Sequence, residues 1–273
     1  MNTSPKIESG KIILLLFTGL MLIFLVIPSI IAFPMSFTDT RYLVFPPEGF
    51  TLKWYKGILV DERWTQPIIF SLKIAAITTL VSLILGTMAS LALVRGTLPG
   101  KKVLNLFFIS PIMVPVIITA FAVYGIYAKM HLIGTLLGMV LAHTILCVPF
   151  VILVISANLY RFDVSLEMAA RNIGANAFKT LRYVTLPLIK PGIITAGIFC
   201  FITSLDDLVL AMFLVGTRRT TLPIRIFSQL RFRIDPGVAA ASTIFIVAAV
   251  SIVFIFAFIR RDKKMGVTQG EVG

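Results

Sequence analysis

Two adjacent carboxylates, Asp206 and Asp207, lie within an apolar run that extends from Ile193 to Val215. A carboxylate inside a membrane span costs about 2.5–3.5 kcal/mol on insertion scales, so it normally lines a polar pathway or pairs with a neighbour. Adjacent helical side chains point about 100° apart. We therefore expect one acid to face a solute pathway and the other to pair with a neighbour such as His143. The alternative is that both acids are structural and form hydrogen bonds between subunits.

Other residues of these runs extend the candidate pathway. Ser204 precedes the two acids by less than one helical turn, and Tyr124 offers an aromatic face that could contact a cation. We expect His143 to donate a hydrogen bond between helices rather than to bind a metal, because no second ligand lies at helical spacing. The adjacency of Asp206 and Asp207 also disfavours an intramembrane aspartyl enzyme, in which two carboxylates share a site across one scissile bond.

The composition places these residues in a bilayer. The chain has 58% apolar and 14% charged residues, and its mean hydropathy is +0.99, whereas about a quarter of the residues of a soluble domain are charged. One transmembrane domain, residues 1–273, is predicted, with helical spans because unpaired backbone groups are costly in lipid. The six predicted spans are Ile12 to Phe33, Ile68 to Val94, Val103 to Ala128, Leu132 to Ala157, Ile193 to Val215 and Val238 to Ile259.

Loop charges predict the orientation. The first apolar run is longer than the core of a secretory signal and is predicted to be a retained span. The net charge of +13 comes from Lys and Arg at span ends and in loops, which indicates membrane orientation rather than nucleic-acid binding. Both termini and the loop 158–192 are predicted to be cytoplasmic. The basic stretch from Arg218 to Arg233 then lies outside, where an interfacial helix is expected.

The loop 158–192 contains the pattern of a short helix. Asp163 or Ser165 can cap its first turn, in which Glu167 interacts favourably with the helix dipole. Gly174 suits the left-handed residue that ends a helix. A solvated loop with incidental helicity is the alternative.

Small residues give this helix a surface that a partner could approach. Ala169 and Ala170 are predicted to form a smooth patch beside the charged edge of Arg171. A second short helix is predicted from Asn176 to about Val184. We expect it to end before Leu186 and Pro187.

This loop resembles the cytoplasmic motif of permease subunits of ATP-binding-cassette (ABC) importers, which reads Glu-Ala-Ala, three residues, Gly, and a distal Leu-Pro. The two alanines, the glycine and the Leu-Pro pair match, but Met168 occupies the Glu position and Glu167 lies one residue earlier. The likeness covers roughly Phe50 to Ala257 and is closest to the spermidine/putrescine permeases. Its other matching stretches are Gly49 to Tyr55, Ser110 to Pro115, His143 to Phe150, Ser204 to Asp207 and Leu222 to Ser228.

The resemblance implies an all-α, type I importer permease fold with six transmembrane helices, in the bacterial inner membrane. It implies four kinds of partner: a homologous or identical permease subunit, two cytoplasmic ATPase subunits, a periplasmic or extracellular solute-binding protein, and the lipid bilayer. The chain itself would be non-catalytic and would bind no cofactor, since ATP and Mg belong to the ATPases. The implied ATPase-coupling residues are Glu167, Met168, Ala169, Ala170, Arg171 and Gly174.

The solute is less constrained than the family. Permeases for opines, amino-acid derivatives and ferric ion share most of these patterns with the polyamine permeases. Five arginines between Arg218 and Arg233 would repel a polycation at the outer mouth, unless they dock an acidic binding protein. An anionic or zwitterionic solute therefore remains an alternative. A secondary transporter is disfavoured because no internal repeat is present.

Overall fold

The computed structural model describes residues 9–232, 236–248 and 250–251, and every element in these ranges is helical. A π-helical turn, Leu181–Thr185, joins α8 to α9. The helices are α1 (Ser9–Met35), α2 (Lys53–Val60), α3 (Glu62–Arg95), α4 (Lys101–Met113), α5 (Val116–Lys129), α6 (Leu136–Arg161), α7 (Ser165–Asn172), α8 (Ala177–Thr180), α9 (Leu186–Asp206), α10 (Val209–Leu214), α11 (Leu222–Phe232) and α12 (Pro236–Ala248).

The described residues contain four helical stretches that are long and apolar enough to cross a membrane. They are Gly10–Met35, Glu62–Arg95, Leu136–Arg161 and Ala177–Asp206. The pair α4 and α5 adds a fifth if it forms one broken span. The helix α12 covers the start of the predicted sixth span, and residues 249 and 252–259 of that span lie outside the described part.

The predicted third span, Val103 to Ala128, is not one straight helix. Its two halves, α4 and α5, meet at an angle of 103°. Val114 is extended and Pro115 precedes the first residue of α5. Proline has no backbone N–H to donate and disfavours helical backbone in the residue before it, so the chain turns here.

The region before α9 also differs from the prediction. The second short helix does not end before Leu186 and Pro187, because α8 continues through the π turn into α9. Within the turn the N–H of Leu186 donates to the carbonyl of Leu181, five residues earlier. Pro187, the second residue of α9, directly follows this turn and has no N–H to donate to a carbonyl in it.

Residues 62–227 form one compact unit built on α3, α6 and α9. The helices α3 and α6 approach closely at Gly86, where an added Cβ would lie 2.6 Å from Cβ of Val151. Near this contact, Ser90 Oγ donates to the carbonyl of Gly86 at 2.7 Å. Small residues permit such close backbone approach in membrane helices, so α3 and α6 form the centre of this unit.

Two apolar clusters fill this unit. One joins α3, α5, α6 and α10, with Ile74, Met139 and Leu210 fully buried. The other joins α6 and α9, with Ile155 and Ile189 fully buried. The two clusters hold the middle of α6 and the end of α9 in fixed positions, and the candidate acids lie at that end.

Residues 9–61 belong to a second unit, which also includes the described residues after 227. After α1, a loop folds onto α2: Trp54 Nε1 donates to the carbonyl of Thr38 at 2.8 Å, and Lys53 pairs with Asp39 at 2.6 Å. The apolar window of α1 has none of its residues buried. The segment from Pro34 to Trp64 contains the short helix α2 and ends inside α3.

Candidate functional site

The two acids lie where one helix ends and the next begins, rather than within a continuous helix. The predicted span Ile193 to Val215 is divided, because α9 ends at Asp206 and α10 begins at Val209. Asp207 has an extended backbone, and its Oδ2 accepts a hydrogen bond from the N–H of Ala211 at 3.2 Å. The Asp207 carboxylate thus satisfies a backbone donor at the start of α10, as a capping acid does.

The buried imidazole of His143 connects α6 to this break. Nδ1 of His143 lies 2.8 Å from Oγ of Ser204, and Nε2 lies 3.7 Å from Oδ2 of Asp207. The side chains of His143 and Asp207 are 2% and 9% exposed. A hydrogen bond on one side and a carboxylate on the other fix the ring, so His143, Ser204 and Asp207 form one polar cluster, which we call the histidine cluster.

Asp206 is directed differently. Its side chain is exposed on this chain, although it neighbours the buried Asp207. Tyr124 lies on α5, is 42% exposed, and has no hydrogen bond or ring contact with the histidine cluster among the described residues. The structure therefore brings Ser204, Asp207 and His143 together and leaves Asp206 and Tyr124 outside the cluster. Their roles in a solute pathway remain predictions.

A helix lies at the position that the loop pattern predicts. The carboxylate of Asp163 accepts a hydrogen bond from the N–H of Ser165 at 2.9 Å, and α7 extends from Ser165 to Asn172. Hydrogen bonds from Ser165, chiefly from its hydroxyl and secondly from its N–H, favour the charged carboxylate and hold the pKa of Asp163 below its usual value. After α7, Gly174 has a φ of +94°, the left-handed conformation that suits glycine.

The two alanines of α7 differ in exposure. Ala169 is exposed, but Ala170 is half-buried against the chain, as is Glu167 one turn earlier. Met168 and Arg171 are exposed with Ala169. Residues three positions apart share a helix face, so Ala170 turns inward with Glu167. The smooth surface of both alanines stays a prediction.

Five large apolar side chains between residues 166 and 183 are exposed, and the sequence analysis did not identify them. They are Leu166, Met168, Ile173, Phe178 and Tyr183, with exposed fractions of 47%, 55%, 88%, 73% and 74%. We call these five residues the apolar docking face. A group of exposed apolar side chains on a short polar segment is typical of an interaction site. Ile173, Phe178 and Tyr183, which recur every five residues in a basic loop, were the available signal.

Glu167 faces the interior of the chain. Its Oε2 lies 3.3 Å from Nε of Arg95, the last residue of α3, and its Oε1 accepts a hydrogen bond from Thr185 Oγ1 at 2.7 Å. The sequence analysis assigned neither Arg95 nor Thr185 to this site. The available signal was charge: Glu167 and Asp163 are the acids of an otherwise basic loop.

A basic cavity lies at the opposite end of α3, about 50 Å from Arg95 at the 1.5 Å rise per residue of an α-helix. Its volume is about 740 Å³. Two of its arginines stack on aromatic rings: Arg219 on Phe70 at 5.1 Å and Arg225 on Trp64 at 5.4 Å. The charged residues that line it are Glu62, Arg63, Lys73, Arg218, Arg219 and Arg225. Such a cavity attracts anionic groups.

No group of three or more His, Cys, Asp or Glu that could hold a metal ion occurs in residues 9–232, 236–248 and 250–251. His143 has a serine and a carboxylate as its polar neighbours.

The sequence comparison decides the family. Residues 82–265 match the binding-protein-dependent transport system inner membrane component family. The chain belongs to this family. It is accordingly a permease of a binding-protein-dependent import system of the ABC class, and its apolar helices suit the membrane location of the family.

Two relatives match over nearly the whole permease. The putrescine transport system permease protein PotI of Escherichia coli strain K12 is 35% identical over 265 residues, which cover 94% of this chain and 93% of PotI. The spermidine/putrescine transport system permease protein PotC of the same strain is 31% identical over 248 residues, 90% of this chain and 92% of PotC.

The fold also matches a solved structure. A chain in the crystal structure of a bacterial ABC transporter involved in the import of the acidic polysaccharide alginate aligns with a TM-score of 0.69. The alignment covers 96% of this chain and 99% of that chain, at 17% sequence identity. The likeness shows that the helices described above form an ABC permease fold.

Proposed function

We propose that this permease forms half of the pathway by which a polyamine, such as putrescine or spermidine, crosses the bacterial inner membrane. A second permease subunit forms the other half. Two cytoplasmic ATPase subunits hydrolyse ATP, and a solute-binding protein delivers the polyamine to the outer face. The names of PotI and PotC, which match over nearly the full chain, support this solute class.

The observation that best supports a cationic solute is the exposed carboxylate of Asp206 at the break between α9 and α10. A carboxylate within an apolar segment is costly unless it pairs with a charge. Asp207 has His143 and the N–H of Ala211 as neighbours, whereas Asp206 is open to a mobile ligand. An ammonium group would supply the missing charge, and Tyr124 offers an exposed ring for a cation–π contact.

The segment that contains α7 is proposed to receive the ATPases. Closure of the ATPase pair on ATP would push on the apolar docking face and tilt α3, α6 and α9 together, a rigid-body switch between two access states. Gly174 ends α7 and orients the exposed Ile173, the most exposed of these apolar residues. Ala169 is exposed and Ala170 is half-buried. The exposure supports the side of α7 that carries Ala169 as the surface offered to the ATPase.

The basic cavity supports a second candidate solute. Five cationic side chains and one carboxylate line it, which would suit an anionic or zwitterionic solute such as an amino-acid derivative. In the polyamine importer the same cavity is proposed to dock acidic side chains of the binding protein.

The test is uptake by proteoliposomes that contain the permease pair, the ATPases and the binding protein. The expected result is uptake of labelled putrescine or spermidine that requires ATP inside and the binding protein outside. Uptake of an amino-acid derivative in place of the polyamines would favour the second candidate. Uptake that persists without ATP, driven by an ion gradient, would contradict both. A thiol-reactive photocrosslinker attached to Met168→Cys, with Leu59→Cys as an exposed control, tests the docking surface by capture of an ATPase.

A further inference from the structure

The carboxylate of Glu167 has both oxygens engaged within this chain. Oε2 lies 3.3 Å from Nε of Arg95, and Oε1 accepts from the hydroxyl of Thr185. The side chains of Glu167 and Arg95 are only 12% and 23% exposed, and Thr185 is buried. An ion pair with little solvent contact is weakly screened by salt, and the hydrogen bond from Thr185 adds a directional contact to the same carboxylate.

Arg95 connects the same pair to α6. Its terminal Nη2 donates to the carbonyl of Leu159 at 3.1 Å, and its guanidinium lies over the ring of Phe162 at 4.8 Å. Leu159 is in the last turn of α6, and Phe162 follows that helix directly. We call Arg95, Leu159, Phe162, Glu167 and Thr185 the Arg95 node. It joins the end of α3, the end of α6, the middle of α7 and the turn that leads into α9.

The helix α7 depends on these contacts for its orientation. It has eight residues, and an isolated helix of that length is marginal in water. Within it, Glu167 and Ala170 are the half-buried residues, and the others are exposed. The Arg95 node therefore holds α7 by one face and leaves the apolar docking face free.

We propose that Glu167 is a positioning residue that transmits movement of α7 to α3, α6 and α9 through the Arg95 node, and is not an acid that contacts a partner. The proposal rests on the proposed function of α7 as the ATPase docking helix. Apolar contacts can slide past one another, but an ion pair whose carboxylate also accepts a hydrogen bond resists displacement in either direction. Loss of the pair would leave α7 able to bind an ATPase and unable to move the long helices with it.

The experiment uses the whole complex in proteoliposomes and measures ATP hydrolysis and uptake in the same sample. The variants are Glu167→Gln, Arg95→Met and the double variant, and the control is Arg161→Gln, an exposed basic residue at the end of α6. We expect the single variants to keep the ATPases bound and hydrolysis within about twofold, while uptake falls by about tenfold or more. The double variant should be no worse than either single variant, because both act on one pair.

Three outcomes would overturn the proposal. Loss of ATPase co-purification in Glu167→Gln would mean that the acid contacts the partner, and unchanged uptake would mean that the pair transmits nothing. The third is a double variant whose loss is the product of the two single losses.

Amide hydrogen exchange of residues 164–175 in the purified complex supplies a readout that does not need transport. Faster exchange in Glu167→Gln, but not in Arg161→Gln, is expected, and equal exchange in both would refute the positioning role. If the wild-type complex transports nothing but its amides respond in this way, the proposed function fails while the anchoring by Glu167 stands.

Discussion

His143 on α6 and Asp207 after α9 face each other, with Nε2 of the imidazole 3.7 Å from Oδ2 of the carboxylate. The same carboxylate accepts the N–H of Ala211 at 3.2 Å, and Ser204 holds the other nitrogen of the ring. Asp207 is therefore committed to contacts within the chain. The neighbouring Asp206 is exposed, which divides the adjacent acids into one with structural contacts and one that is open.

Replacement of each acid by asparagine separates these roles. We expect Asp206→Asn to lower polyamine uptake by about tenfold, since a charge contact of about 1.4 kcal/mol changes an equilibrium tenfold, with normal assembly. Asp207→Asn should mainly lower thermal stability, because the histidine cluster loses its charge. Uptake kinetics and thermal unfolding of the purified complex measure the two effects. Normal uptake by the Asp206 variant would exclude it from the pathway.

The close approach of α3 and α6 predicts a stability effect at Gly86. An added methyl group would lie 2.6 Å from Cβ and Cγ1 of Val151, which is fully buried and cannot move aside. Gly86→Ala should destabilise the protein by about 1–3 kcal/mol. Gly125→Ala on α5, where nothing lies within 4 Å, should be neutral or stabilise by up to about 1 kcal/mol. Denaturant titration in detergent compares the two, and equal midpoints would contradict the packing argument.

Several elements could be anticipated from the sequence for identifiable physical reasons. Long apolar runs predicted α1, α3 and α6 because backbone groups in lipid must be satisfied within a helix. The cap at Asp163 and the left-handed Gly174 are local features, so the sequence alone predicted α7. Proline at position 115 has no N–H to donate, which favours a bend, but the angle of 103° between α4 and α5 depends on packing.

The contacts between distant residues could not be anticipated. Arg95 and Glu167 are 72 positions apart, by subtraction of their numbers, and only the fold brings them together. Ala170 turns inward because it shares a helix face with Glu167, and Glu167 turns inward because it pairs with Arg95. The suggested pairing of an acid with His143 rested on chemistry alone. The break after Asp206, which aims Asp207 at the ring, had no signal in the apolar pattern.

The basic cavity predicts salt-sensitive docking of the binding protein. Arg218 and Arg219 line it and are exposed. Arg218→Glu with Arg219→Glu should raise the Kd of the complex for its binding protein by about tenfold or more at low salt, and less at high salt, because exposed charges are screened. Titration of the binding protein at two salt concentrations measures this. The matched control is charge reversal of the exposed Lys56 on α2.

The cap of α7 predicts a pH dependence. The folded chain lowers the pKa of Asp163, so its carboxylate stabilises α7 above the unfolded pKa of about 4, and this effect is lost as the pH falls through the lower folded value. Amide exchange at residues 165–169 should therefore show no loss of protection between about pH 5 and 8, and fraying only below about pH 4. Asp163→Asn keeps a capping oxygen that does not titrate, and its fraying should not depend on pH. The same acid response in both proteins would refute the assignment.

No residue of α4 is buried within this chain. In a bilayer the apolar side chains of such a helix are already in contact with lipid tails, which are as apolar as another helix. Exclusion of water therefore cannot drive its association with a second subunit. If the proposed second subunit packs on α4, recognition there depends on shape and on polar groups such as the Ser110 hydroxyl, which donates to the carbonyl of Phe107 in the same helix at 2.8 Å. The choice between an identical and a homologous partner subunit would then depend on shape complementarity rather than on hydrophobicity.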